Sequence, residues 1–156
     1  MHSRPATASD DLPLRTRRLQ QWRGALPVLA AVSAGGVLGS LVRSGVSVAF
    51  PHRSGEFAWA TFAINVSGCL LIGVLMVLLE QVWTGRRLLR PFLGIGVLGG
   101  FTTFSTYILD AIRTSAEAPR TGLAYLAGTL LLALSAVWIG ATLTHKTIAR
   151  RRQESS

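Results

Sequence analysis

Pro91–Ile112 reads PFLGIGVLGGFTTFSTYILDAI, twenty-two residues with no charge before Asp110. A helix rising about 1.5 Å per residue needs roughly twenty apolar residues to cross about 30 Å of hydrocarbon, so the run is long enough to span a membrane. Gly94, Gly96 and Gly99 spell GxGxxG. That spacing carries a dinucleotide only after a strand in a βαβ unit, a context absent from an apolar span. Gly99-Gly100-Phe101-Thr102-Thr103 is harder to pass over, because paired glycines followed by β-branched hydroxyl residues weaken a helix at mid-membrane. Backbone unpaired at that depth must line a cavity or coordinate something, and freed carbonyls suit a hard cation. The competing reading is a packed Gly/Thr seam whose hydroxyls bond back to the preceding turn.

Three similar runs surround it: Ala25–Phe50, Phe57–Leu79 and Gly122–Leu143. The expected architecture is all-α and integral to the membrane, with spans at about 25–50, 57–79, 91–112 and 122–143 and the third broken at Gly99–Thr103. Residues 1–24 read as a basic, disordered tail, residues 25–145 as the transmembrane domain, and residues 146–156 as a basic C-terminal tail. The 156-residue composition agrees: 49% hydrophobic, 15% charged and a mean hydropathy of +0.42. Pooling of apolar residues into four runs excludes an ordinary soluble globule. Thr16-Arg17-Arg18-Leu19 hints at a twin-arginine leader. The first run is longer than a signal core, however, and three spans follow it, so it reads as retained.

The formal net charge is +9, a balance that in a soluble protein would raise nucleic acid as a partner. Here the basic stretches flank apolar runs, so their partner is the membrane surface and no nucleic acid is expected. Four spans put both termini on one side. Twelve Arg and Lys lie there, in the first tail, the 85–90 loop and the last tail, against Arg53, Arg113 and Arg120 opposite and Arg43 within a span. The positive-inside rule then predicts cytoplasmic N- and C-termini in a plasma membrane.

Polar residues within spans are the remaining candidates. Asn65 offers amide donors to an anion or forms an interhelical hydrogen bond. Arg43 snorkels to the interface or sets a positive potential at a vestibule. Phe104 and Tyr107 present positive ring edges to an anion, or simply pack. No span has a central carboxylate, since Glu80 and Asp110 lie near span ends, which disfavours a proton-coupled small-multidrug-type exporter. The lone Cys69 gives no disulfide or CxxC site, and His2, His52 and His145 lie outside or at the membrane edge. Neither a metal cluster nor a Ser/His/Asp set is in prospect, so no enzyme is expected.

Three motifs resemble one family in order: Gly36-Val-Leu-Gly39-Ser40-Leu-Val-Arg43 is similar to GGxxGAxxR, Asn65-Val-Ser-Gly68 to VNxxG, and Gly99-Gly-Phe-Thr-Thr-Phe-Ser-Thr-Tyr107 to GGxTTFSTF. Together they look like the CrcB/Fluc fluoride channels, over Ala25 to about Leu143. The resemblance implies an antiparallel dimer passing fluoride passively along two pathways. By position, Gly99 and Thr102 would give backbone carbonyls to a structural sodium ion. Phe104 would be the first ring of an aromatic pair, Asn65 an amide donor and Arg43 the vestibule cation, with Ser105 and Thr106 on the same pathway. Tyr125 and Thr129 look like a polar track on the fourth span. Tyr107 departs from the family, which usually has Phe there, and Ala133 stands where a further hydroxyl would be expected. The long basic N-terminal tail is also atypical. The twelve-against-three charge count conflicts with oppositely inserted identical copies, so the partner is either this chain itself or a related subunit of opposite bias.

Overall fold

In the computed structural model, which describes residues 14–53 and 55–154 and side chains from Gly24 onward, every regular element is helical. Helix α1 is Leu14–Ala49 and α2 is Trp59–Gln81. The third span is composite: a π-helical segment Arg90–Leu98, a single turn α3 at Gly99–Phe101, and α4 at Phe104–Glu117. Helix α5 is Pro119–Glu154. Four helical stretches, Gly24–Ala49, Trp59–Gln81, Arg90–Glu117 and Pro119–Glu154, are long and apolar enough to cross a membrane. The expected four-span all-α architecture is therefore present.

Boundaries differ from expectation at both ends. Helix begins at Leu14, inside the segment 1–24 read as a tail, because 14–23 holds neither Gly nor Pro and is rich in Arg, Leu and Gln. The tail's first thirteen residues lie outside the described residues. The last span runs on through Lys146 to Glu154, into the segment read as a C-terminal tail, with Arg151 and Arg152 in its final turn, where cations complement the helix dipole. In the third span, the nine-residue π segment was not visible as a period in the sequence.

Two pairings organise the bundle. Helix α1 lies along the π segment and α3, while α5 lies along α2 and α4. The chain thus changes neighbours at the break, its first half on α1 and its second on α5. Glycine makes the first crossing possible. A Cβ on Gly39 would reach Phe101 N at 2.8 Å and also strike the Val97 carbonyl; one on Gly100 would come within 2.6 Å of the Gly36 carbonyl. Backbone therefore meets backbone, the means by which membrane helices without a hydrophobic driving force approach closely. Gly73 and Gly140 play the same part between α2 and α5. Leu38, Leu41, Leu131 and Trp138 are exposed on the outer faces, as lipid contact requires.

Candidate functional site

Thr102 and Thr103 are extended, with φ/ψ of −75°/156° and −146°/121°, so the third span is interrupted by two non-helical residues. Non-helical backbone at membrane depth needs partners, and they come from three places. Asn65 Nδ2 donates to the Thr103 carbonyl at 3.0 Å, and Thr103 N–H donates back to Asn65 Oδ1 at 2.9 Å. Arg43 Nε donates to the Gly100 carbonyl at 3.1 Å. Thr103 Oγ1 accepts from Thr106 N at 3.2 Å, capping α4, and donates to Thr106 Oγ1 at 3.0 Å. Of the two readings left open by the residues, the break is present, and part of the seam is present with it, since Thr102 Oγ1 donates back to the Leu98 carbonyl at 3.0 Å.

This bonding redefines two expected site residues. Asn65 spends its carbonyl and one N–H on Thr103. Arg43 reaches across from α1 and caps the broken turn with its Nε. A Cβ on Gly68, one turn from Asn65, would strike Thr102 Cγ2 and come within 3.3 Å of the Phe101 ring, so the Asn-x-x-Gly pair both bonds the break and makes room for it.

Carbonyls are also released. In an α-helix the carbonyl of residue i accepts from the N–H of i+4. The helical partner of Gly99 would be Thr103 N–H, diverted to Asn65, and that of Thr102 would be Thr106 N–H, diverted to Thr103 Oγ1. Gly99 is exposed on the surface of the chain.

Beside the break is a cavity of about 200 Å³ lined by Asn65, Cys69, Thr102, Thr103, Phe104, Tyr107, Thr129, Leu130 and Ala133. Thr129 is 3% exposed, and its hydroxyl has no hydrogen-bond partner. Orphaned buried hydroxyls are rare, and each one needs an explanation. One turn away on α5, Tyr125 is fully buried, and its hydroxyl has no hydrogen-bond partner. The Tyr107 hydroxyl donates to the Leu126 carbonyl at 2.5 Å, so in this chain it is spent on a neighbour. The Phe104 and Tyr107 rings are 5.9 Å apart at 52°, and Tyr107 and Tyr125 are 5.5 Å apart. Phe104 is 76% exposed, at the rim of the cavity, and Ser105 is exposed beside it. The structure thus brings together Asn65, Thr106, Tyr107, Tyr125 and Thr129, and leaves Phe104 and Ser105 facing outward.

Asp110 and Thr61 escaped the sequence reading. Asp110 is 4% exposed; Thr61 Oγ1 donates to its Oδ2 at 2.7 Å, and His52 Nε2 lies 3.6 Å from Oδ1. The signal was helical spacing: Asp110 is three residues past Tyr107, Thr61 four before Asn65, and Tyr125 four before Thr129. Three facing stripes on α2, α4 and α5 therefore run from the break towards the loop that holds His52.

The sequence that builds this four-span chain, its break and its cavity is similar to known proteins. The family described as "CrcB-like protein, Camphor Resistance (CrcB)" matches residues 30–141. The chain is 51% identical to Fluoride-specific ion channel FluC 2 of Streptomyces avermitilis over 138 residues, covering 88% of this chain and 87% of the relative. It is 47% identical to FluC 1 of Streptomyces coelicolor, covering 84% and 86%. It is 55% identical to FluC 2 of Nocardia farcinica over 115 residues, covering 72% and 81%. The region matched by the family, 30–141, holds the greater part of each span, the break and every residue of the cavity, and the chain is a multi-pass membrane protein that belongs to the CrcB-like family.

Proposed function

We propose that the chain is a fluoride-specific channel that releases cytoplasmic fluoride down its electrochemical gradient and so lowers fluoride toxicity. Relatives named as fluoride channels, about half identical over most of the chain, support the ion. One observation carries the mechanism: the unpartnered hydroxyl of Thr129, buried in the cavity beside the broken turn. A donor with nothing to donate to, next to the Phe104 and Tyr107 ring edges, suits a small anion that must shed water.

Hydrogen fluoride enters neutral and ionises in a less acidic cytoplasm. An inside-negative potential is worth about 2.3 kcal/mol per charge per 100 mV and drives the anion outward without ATP. The hydroxyls of Thr129 and Tyr125 replace water in turn. The Asp110 carboxylate beyond them opposes tight anion capture, as conduction requires. Asn65 and Arg43 act on the break, holding it open by satisfying its backbone. In this reading no reaction is catalysed.

The carbonyls of Gly99 and Thr102, their helical partners diverted, are the oxygen donors a sodium ion prefers. Bound there, sodium would neutralise the carbonyl dipoles of the broken turn. The outward-facing Phe104, Ile95 and Gly99 support a second subunit as the cover for this face, antiparallel by the family resemblance. The basic excess on the terminal side supports cytoplasmic termini and a related partner of opposite bias. The rival is a homodimer, and fluoride efflux from purified homodimers of this chain would establish it. Liposome efflux followed with a fluoride electrode tests the function: the chain with its partner should empty vesicles, and Phe104→Ile should slow release. Equal rates from the two would remove the aromatic pair from the pathway.

A further inference from the structure

The loop from α2 into the third span reads Gly85-Arg86-Arg87-Leu88-Leu89-Arg90, three cations within five residues. Its backbone is tied down. Gly85 turns at a φ of +98°, Arg86 N–H donates to the Trp83 carbonyl at 3.3 Å, and Leu89 N–H donates to the Arg86 carbonyl at 3.1 Å. Phe92 N–H then donates to the Leu88 carbonyl at 3.0 Å, which joins the loop to the π segment. The points at which Arg86 and Arg87 leave the chain are therefore fixed. Both side chains are exposed, and like that of Arg90 they engage no hydrogen bond or ion pair among the described residues. Two clefts share this pair. One, of about 480 Å³, is lined by Ala31 of α1, Leu88, Leu89 and Phe92 together with both arginines. The walls of the other, of about 290 Å³, include Glu80, Trp83 and Arg90 beside the same two arginines.

The occupant follows from the two chemistries of the first cleft. The third span begins at Arg90, so Arg86 and Arg87 stand just outside the hydrocarbon while Phe92 lies in the first turn within it. A soluble anion would use the arginines and leave the wall of Ala31, Leu88, Leu89 and Phe92 in water. An apolar segment would cover that wall and leave two guanidiniums unpaired. We propose that the cleft between α1 and the third span binds an anionic phospholipid, its phosphate on Arg86 and Arg87 and an acyl chain against Ala31, Leu88, Leu89 and Phe92. Arginine holds phosphate through paired, charge-assisted hydrogen bonds, and basic pockets between membrane helices recognise anionic headgroups. In the neighbouring cleft Glu80 opposes a second phosphate, which leaves the α1 side as the seat of the headgroup. Leu88 is 43% exposed, an apolar surface that an acyl chain would cover. The proposal needs only that the chain spans a membrane and does not depend on which ion it carries.

The test equilibrates the full-length chain in micelles holding equal dioleoylphosphatidylglycerol and dioleoylphosphatidylcholine, repurifies it and measures the retained lipid by mass spectrometry. Phosphatidylglycerol should exceed phosphatidylcholine by about tenfold, the worth of one charge-assisted hydrogen bond. Arg86→Gln with Arg87→Gln should remove the preference. Arg53→Gln with Arg120→Gln, an equal loss of charge on the opposite side, should retain it. Ala31→Trp fills the cleft while keeping both arginines, and should lower phosphatidylglycerol retention even if the Arg86/Arg87 variant fails to fold. Millimolar inorganic phosphate during equilibration should leave the lipid in place. The site is refuted if the unaltered chain retains both lipids equally or if Ala31→Trp retains phosphatidylglycerol like the unaltered chain. It is refuted equally if the Arg53/Arg120 variant loses as much as the Arg86/Arg87 variant, or if free phosphate displaces the lipid.

Discussion

Asn65 and Thr129 line one cavity and do opposite work. Asn65 pairs with both backbone groups of Thr103, so Asn65→Leu strands a half-buried N–H and a half-buried carbonyl at roughly 1 kcal/mol each. Thermal unfolding in detergent should show a lowered midpoint, and flux should fall with it because the break loses its support. Thr129 bonds nothing, so Thr129→Val keeps the shape, removes an orphaned hydroxyl and leaves the midpoint unchanged or slightly raised. Fluoride flux should nonetheless drop about tenfold, one lost hydrogen bond to the passing ion, and Thr129→Ser should restore it. A midpoint that falls with Thr129→Val would make the hydroxyl structural. In the sequence Asn65 was recognisable as a costly amide at mid-membrane and, by resemblance, as an amide donor, but not as the partner of the break. Its partner is a backbone group thirty-eight residues away, which composition and local spacing do not encode.

At the scale of the element, the third span was legible as broken, because Gly99-Gly100 followed by two threonines disfavours helix wherever it occurs. That a π segment precedes the break was not legible. Hydrogen-bond registry there answers to the close approach of α1, a tertiary fact. Gly39 reports on that approach. Gly39→Ala would place a methyl against the Val97 carbonyl and 2.8 Å from Phe101 N, backbone atoms that cannot yield without moving the break. Overpacking of this kind costs about 1–3 kcal/mol. Gly45→Ala in the same helix meets nothing within 4 Å and should be silent or stabilising. Comparing the two midpoints checks whether the crossing, rather than helix propensity, explains the glycine.

The four-span architecture was readable from run length alone, because the thickness of hydrocarbon sets it directly. The outer face beside the cavity is open in this chain, with Phe104 largely exposed. The basic excess of the terminal side predicts that a C-terminal reporter will be found almost wholly in the cytoplasm when the chain is expressed alone. Equal numbers of copies in both orientations would favour the homodimer. The central claim, a passive fluoride channel, is tested most directly by recovering the chain from its own membranes through a tag, so that any partner comes with it. The preparation is reconstituted into potassium-loaded liposomes for fluoride efflux at an electrode. A passive anion pore should release fluoride only after valinomycin lets potassium follow and cancels the charge left behind. Release without valinomycin, driven by a proton gradient, or no release at all, would contradict the account.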